Sequence, residues 1–260
     1  MGESVTGARQ GLPDRDAELV RAARRAVGRW TDFPADADPR PLVLLDGPVR
    51  VTKGFATGDA KLAFLQGAVV AEDYVPQDAI RMLCRPADGA DPRPRGQLRI
   101  VGAERSEAEF ATDRGHQILP AWRLKAAAAL GPIWVLTAEV QARCWAPSEP
   151  AGQGHIGPHI LRLGAVGADG SDLAVEFTGG SRRLFGYDAE AIETQTAVCV
   201  APLPRMTVRI APRTAISAEG HLRTLLVTLA ESLGGRVLVN LDGTPVPVTW
   251  GELPRDAKSL

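Results

Sequence analysis

The chain has 260 residues, 45% of them apolar and 23% charged, enough for two modest domains or one large β-rich one. Thirty basic side chains against thirty-one acidic ones leave a formal charge of -1, so no global field draws the protein onto nucleic acid or anionic lipid. No apolar run approaches the roughly 20 residues of a membrane helix, and three scattered cysteines, Cys84, Cys144 and Cys199, support neither a disulfide framework nor a Cys-rich zinc site.

The opening stretch, MGESVTGARQGLPDRDAELV, lacks the apolar core of a signal peptide, which points to a cytoplasmic location. It leads into an amphipathic helix. Asp14 and Asp16 sit where a helix start favours acids, and Leu19, Ala23, Ala26, Val27 and Trp30 recur at helical spacing. Arg21, Arg25 and Arg29 form a basic stripe on another face, read as a solvated surface of a helix docked through Trp30. The Pro/Asp-rich segment Asp32 to Pro41 follows as a linker or extended arm.

From Leu42 the pattern turns to short strands. LVLL ends at the turn signal Asp46-Gly47-Pro48, and VRV makes a second strand. Asp59 to Glu72 reads as a second helix with Leu62, Leu65 and Val69 on one face, although Gly67 weakens it by about 1 kcal/mol relative to alanine. Arg85 to Gly96, with three prolines and two glycines, is expected to be an exposed, mobile loop. Strands then dominate: Gln97 to Ala103, a hairpin of Ala108 to Thr112 and Gln117 to Leu124 around Asp113-Arg-Gly-His116, and Ile133 to Leu136. Ala126 to Ala129 is only helix-permissive.

The last hundred residues repeat the hairpin rhythm. Strands are expected at His159 to Val166, Leu173 to Thr178, Glu193 to Ala201, Leu222 to Ala230, Arg236 to Leu241 and Val246 to Trp250. Leu222 to Leu233 also fits a helical period, but Thr224, Val227 and Thr228 favour the strand. The expected fold class is α+β, mainly β, with antiparallel sheets in a sandwich or partial barrel, an N-terminal amphipathic helix and one further helix. The expected organisation is an N-terminal helix and linker over 1–40, an α+β region with a β-hairpin over 41–150, and an antiparallel β region over 151–252.

Motifs that carry chemistry are sparse. Gly152-Gln-Gly154-His-Ile-Gly157 matches the literal dinucleotide string, but a proline-containing loop precedes it and Pro158 follows, where a helix would have to receive the pyrophosphate. No cofactor is therefore expected. His155 and His159 could share a metal only if a folded loop brought them together, because in an extended strand their α-carbons stand roughly 13 Å apart. Glu149 could then serve as a third ligand. His116 fits a hairpin turn and His221 a strand entrance. Lys53 to Lys61, KGFATGDAK, lacks the final Gly-Lys-Ser/Thr of a phosphate loop, and no GxSxG, SxxK or HExxH string occurs. Each cysteine lies in or beside an apolar stretch, as buried thiols do.

Trp122, Trp134 and Trp145 crowd one β-rich stretch. They could line an aromatic or carbohydrate ligand surface, or fill the core of a sheet poor in Phe and Tyr. Lys61 on the second helix could reach an anionic ligand held between helix and sheet; a plain surface lysine is the alternative.

GDAKLAFLQGAVV, LRIVGAE, FATDRGHQILPAWRL and GPIWVL, with FTGGSRRLFGYDAEAIETQTAVCV and RTLLVTLAESLGGRVLVNLDGTPVPV towards the end, resemble a recurring pattern in uncharacterised proteins of high-GC actinobacteria. Many of those are predicted lipoproteins. The resemblance spans Leu42 to Val248 and implies a β-rich body with few helices; it brings no activity and no catalytic residue. This chain departs from the pattern in lacking a signal sequence, a lipid-anchor cysteine and paired cysteines.

The expected function is a non-catalytic protein- or ligand-binding role, with an unknown protein or small-molecule partner, no nucleic acid and no transmembrane segment. The alternative is a metal-assisted hydrolase centred on the Gly152 to His159 loop.

Overall fold

A computed structural model describes residues 13–84, 96–148, 160–208, 220–251 and 253. In chain order the elements are α1 (Pro13–Gly28), β1 (Val49–Val51), α2 (Gly58–Leu65), β2 (Val69–Ala71), α3 (Gln77–Leu83), β3 (Leu98–Thr112), β4 (Gly115–Ala126), β5 (Ile133–Leu136) and α4 (Ala138–Gln141). Then come β6 (Leu161–Val166), β7 (Asp172–Gly179), β8 (Phe185–Glu193), β9 (Ala197–Met206), β10 (His221–Thr228), β11 (Val237–Val239) and β12 (Val248–Trp250). The fold is mainly β with a minority of helix, the expected α+β class. Among the described residues no helix is long and apolar enough to cross a membrane.

The chain divides into two units: Met1–Pro41 with Asp113–Gly115 and Ala146–Leu260, and Leu42–Thr112 with His116–Trp145. The N-terminal helix falls in the same unit as the C-terminal strands.

In the first unit a four-stranded sheet, β10-β7-β6-β12, and a three-stranded sheet, β11-β9-β8, share one core. Leu173, Val175 and Phe177 of β7 meet Val198 and Val200 of β9 and Tyr187 of β8 there, with the Phe177 and Tyr187 rings edge to face at 4.9 Å. From Ala197 to Pro204 β9 is buried on both faces. Val198 and Val200 face the shared core, and α1 packs over β8 and β9. The helix buries Leu19, Ala23, Ala26 and Val27 of the stripe read from its spacing, together with Ala22. Asp16 holds Arg205 at 2.6 Å, and Arg205 also binds Asp188 at 2.7 Å. Trp30 is fully buried and donates through Nε1 to the carbonyl of Gly243 at 3.0 Å. Arg29, the last arginine of the stripe, donates to the Asp242 carbonyl at 2.8 Å, whereas Arg21 and Arg25 are exposed.

The Asp32 to Pro41 segment is not a free linker. Phe33 and Ala35 are buried and Arg40 binds Asp113, while Asp36 to Pro39 are exposed. Its apolar residues dock it, which the Pro/Asp composition concealed.

In the second unit the strand order is β1-β5-β4-β3-β2. The register pairs Trp122 with Val135 and Arg123 with Trp134, so alternate residues of β4 and β5 project to opposite faces. On one face Leu98, Ile100, Leu124, Ile133 and Val135 pack with Ala60 and Ala63 of α2 and Ala79 and Leu83 of α3. The small alanines let both helices lie close to the sheet. On the other face Phe110, Leu119, Ala121 and Leu136 pack with Val140 of α4 and with Leu42 and Leu44. Truncating Leu124 or Ile133, both fully buried, to alanine costs about 2–5 kcal/mol each.

Several expectations are corrected here. The helix expected over Asp59 to Glu72 stops at Leu65, because Gly67 turns the chain at φ +67° and Val69–Ala71 then joins the sheet beside β3. Its apolar spacing served two elements. LVLL makes only single bridges, Leu42 to Cys144 and Leu44 to Thr112. The two strands foreseen over Gln97 to Thr112 are one fifteen-residue strand. The sheets are mostly antiparallel, as expected, but β2–β3, β6–β12 and β9–β11 pair in parallel. Leu222 to Thr228 is strand, paired along its length with β7.

Candidate functional site

The most promising site grows from the segment between β1 and α2. After Val51 the chain leaves the sheet edge and residues 54–56 pair with 128–130: the Ala56 amide donates to Ala128 at 2.9 Å, and the Leu130 amide to Gly54 at 3.0 Å. This ladder fixes Phe55 opposite Ala129. Thr57 then caps α2, its hydroxyl oxygen accepting from the Ala60 amide at 3.2 Å. Two turns further on, Phe64 returns to Phe55, the two rings tilted at 39° with centroids 5.2 Å apart.

These pieces border an open cleft of about 460 Å³. Val51, Phe55, Thr57, Lys61, Phe64 and Leu65 line it, with the backbone of Gly54 and Gly58. Phe55 and Phe64 are half-buried, resting on the helix-covered core below. Lys61 is exposed and is the one ionisable residue of the lining. Of the described residues, none forms an ion pair with it.

Two further hollows in the same unit differ in chemistry. One of about 710 Å³ is walled by Gly102, Ala103 and the alanines after Leu124, with Arg123 and Glu104 paired across it at 3.4 Å. Another of about 380 Å³ holds Arg50, Glu109 and His116. Arg50 donates to the Glu109 carbonyl at 2.5 Å, and His116 Nδ1 lies 3.4 Å from the Glu109 carboxylate. In each an arginine is already paired with a glutamate, and neither lining brings two phenylalanine rings together.

Trp122 and Trp134 do not converge. Trp122 lies on the helix-covered face of the sheet, half-buried, and its Nε1 donates to Asp78 at 3.2 Å. Trp134 lies on the opposite face, against Leu136 and Val140. Trp145 is half-buried beyond the Leu42 bridge, its amide bonded to the Leu42 carbonyl at 2.8 Å. The alternation of β4 and β5 separates Trp122 from Trp134, so the two cannot form one binding surface.

His155 and His159, Glu149 and the whole Gly152 to Gly157 string lie outside the described residues, as does the Arg85 to Gly96 loop up to residue 95. Among the described residues no cluster of three or more His, Cys, Asp or Glu side chains is arranged to hold a metal. His221 stands exposed at the start of β10. Of the thiols, Cys84 is exposed, Cys144 is partly buried and Cys199 is fully buried. Burial pushes the Cys144 and Cys199 thiols up from their ordinary value, the opposite of a reactive cysteine.

Of the cleft residues, sequence reasoning singled out Lys61 but not Phe55 or Phe64. Their nine-residue separation follows neither a helical nor a strand period, because a turn and a cap lie between them.

No family model, no curated protein and no solved structure matches this chain. Fold and cleft therefore define a class only: a mainly β protein whose five-stranded sheet carries an aromatic-lined cleft at the start of a helix.

Proposed function

We propose that this chain is a non-catalytic binding protein that takes a small, mainly apolar molecule in the cleft at the start of α2. The Phe55–Phe64 pair carries the reading. Two aromatic rings 5.2 Å apart border a cavity of about 460 Å³, within the roughly 300–1,000 Å³ of small-molecule sites. Glycines on the loop side let backbone approach the ligand without side chains in the way. Val51, Phe55, Phe64 and Leu65 make most of the side-chain lining apolar, which favours holding an apolar body.

A neutral apolar fluorophore, N-phenylnaphthylamine, tests it. Its emission should rise on titration with the full chain and saturate at one equivalent. Ala56, which lines the cavity with an exposed side chain, offers a way to block the site. Ala56→Phe should weaken the titration at least about tenfold, a loss of about 1.4 kcal/mol, with an unchanged melting curve. Undiminished binding by Ala56→Phe would remove the cleft as the site.

A further inference from the structure

We infer that the ligand of this cleft is monoanionic, an apolar body bearing a single negative group, and that Lys61 recognises that group. The inference rests on the reading of the cleft as a ligand site and adds the ligand's charge class to it.

The argument is one of charge balance. Arg50, Arg99, Arg105 and Arg123, the described arginines of the same sheet's strands, each pair with a carboxylate: Glu109, Glu72, Glu139 and Glu104. Lys61 has none among the described residues, and no acid lines the cavity it borders. Asp59, two residues away, is exposed and not part of the lining. The cleft therefore presents apolar surface from Val51, Phe55, Phe64 and Leu65 and one uncompensated positive charge.

A flexible four-carbon stem lets the ammonium sit over an apolar floor while its head stays in water. A ligand whose body fills the floor would carry its anionic group to that head, at the boundary where the dielectric falls and attraction strengthens. A neutral ligand would forgo that attraction, and a cationic one would oppose it. A dianion would bring more charge than a single exposed lysine matches. Thr57 adds a second donor at the rim: its oxygen accepts from Ala60, which leaves the hydroxyl proton for an acceptor.

A matched pair of probes separates charge from shape: N-phenylnaphthylamine and its sulfonate, anilinonaphthalene sulfonate, share one aromatic frame. Both are titrated into the full chain, into Lys61→Gln and Lys61→Arg, and into Ala56→Phe. Lys61 is exposed, so its variants should fold and melt like the parent. The inference expects the sulfonate to bind more tightly than the neutral probe. Lys61→Gln should weaken the sulfonate about two- to fivefold, the worth of an exposed ion pair, and leave the neutral probe unchanged. Lys61→Arg should restore the difference, and added salt should erase it. Equal affinities for both probes, unmoved by Lys61→Gln, would overturn the charge assignment and leave the cleft standing as an apolar site. Failure of both probes to bind, or binding that ignores Ala56→Phe, would instead overturn the cleft itself, and the charge assignment with it.

Discussion

Arg40 grips Asp113 with both terminal nitrogens: Nη2 stands 2.5 Å from Oδ2 and Nη1 3.3 Å from Oδ1. The carboxylate is only 2% exposed. Arg40 is itself held in place, its Nε donating to the Gly235 carbonyl at 2.7 Å and its guanidinium lying 4.8 Å over the Phe33 ring. A buried carboxylate without its partner is far costlier than the intact pair, since its desolvation is no longer offset. Arg114, 3.8 Å from Asp113, recovers part of that loss. Arg40→Met should therefore cost about 3 kcal/mol in urea unfolding, and adding Asp113→Asn should return a good share of it. A cost below about 1 kcal/mol for Arg40→Met would assign the compensation to Arg114 instead.

Gly235 gives the same segment a second, steric tie. A Cβ built on it would stand 2.0 Å from the Ala35 carbonyl oxygen and 2.9 Å from its carbon. Both are backbone atoms, so no side-chain rotation relieves the clash. Gly235→Ala should destabilise by about 1–3 kcal/mol and lift the Asp32 to Pro41 segment from its seat. Limited proteolysis under native conditions reads this directly, with new cleavage between Asp32 and Pro41 in the variant and not in the parent. Equal protection in both would mean that the close approach is not what seats the segment.

Much of this architecture was legible in side-chain periodicity, and the failures have definite causes. Ile133 to Leu136 was found to the residue because a short apolar run bounded by Gly131-Pro132 and a helix start has few other readings. The stripe of α1 was legible because α1 buries one face only. By contrast, Thr194 and Thr196 alternate with Val198 and Val200 yet precede the strand: the Thr194 hydroxyl accepts from the Ala197 amide at 3.0 Å and holds a turn there. Phe185–Glu193 was not foreseen, since its buried residues do not alternate cleanly. The parallel pairings were invisible for another reason. They join strands distant in sequence, such as β6 and β12, and local pattern says nothing of partners. The cleft was half legible: Lys61 stood out by charge, but the Phe55–Phe64 contact needed the fold.

Trp122 was read as a possible ligand platform; its place in the sheet makes it a packing residue with one polar tie. Trp122→Phe keeps the apolar contact with the helix-covered core and removes the hydrogen bond to Asp78. It should cost about 1 kcal/mol, with binding of either naphthalene probe unchanged. Asp78→Ala should cost a similar amount, and the double variant little more than either alone, as expected when two groups act through one bond. A Trp122→Phe variant that lost probe binding would move the site from the α2 cleft towards this face.

Cys199 makes stability fall on the alkaline side. Burial, aided by the charge of Asp242, raises its thiol above the ordinary value of 9.0. Below about pH 9 the thiol is protonated whether the chain is folded or not, so it adds no pH dependence. Above that, the unfolded chain sheds the proton while the folded chain keeps it, and stability drops by up to about 1.4 kcal/mol per pH unit. Unfolding free energies measured between pH 8 and pH 10 should show this slope in the parent and a shallower one in Cys199→Ala. Thiol labelling gives a parallel readout. The exposed Cys84 should react with a disulfide reagent at once, the partly buried Cys144 more slowly, and Cys199 only when the chain unfolds. Rapid labelling of all three thiols in the native protein, or identical alkaline slopes for parent and Cys199→Ala, would show that β9 is not sealed on both faces.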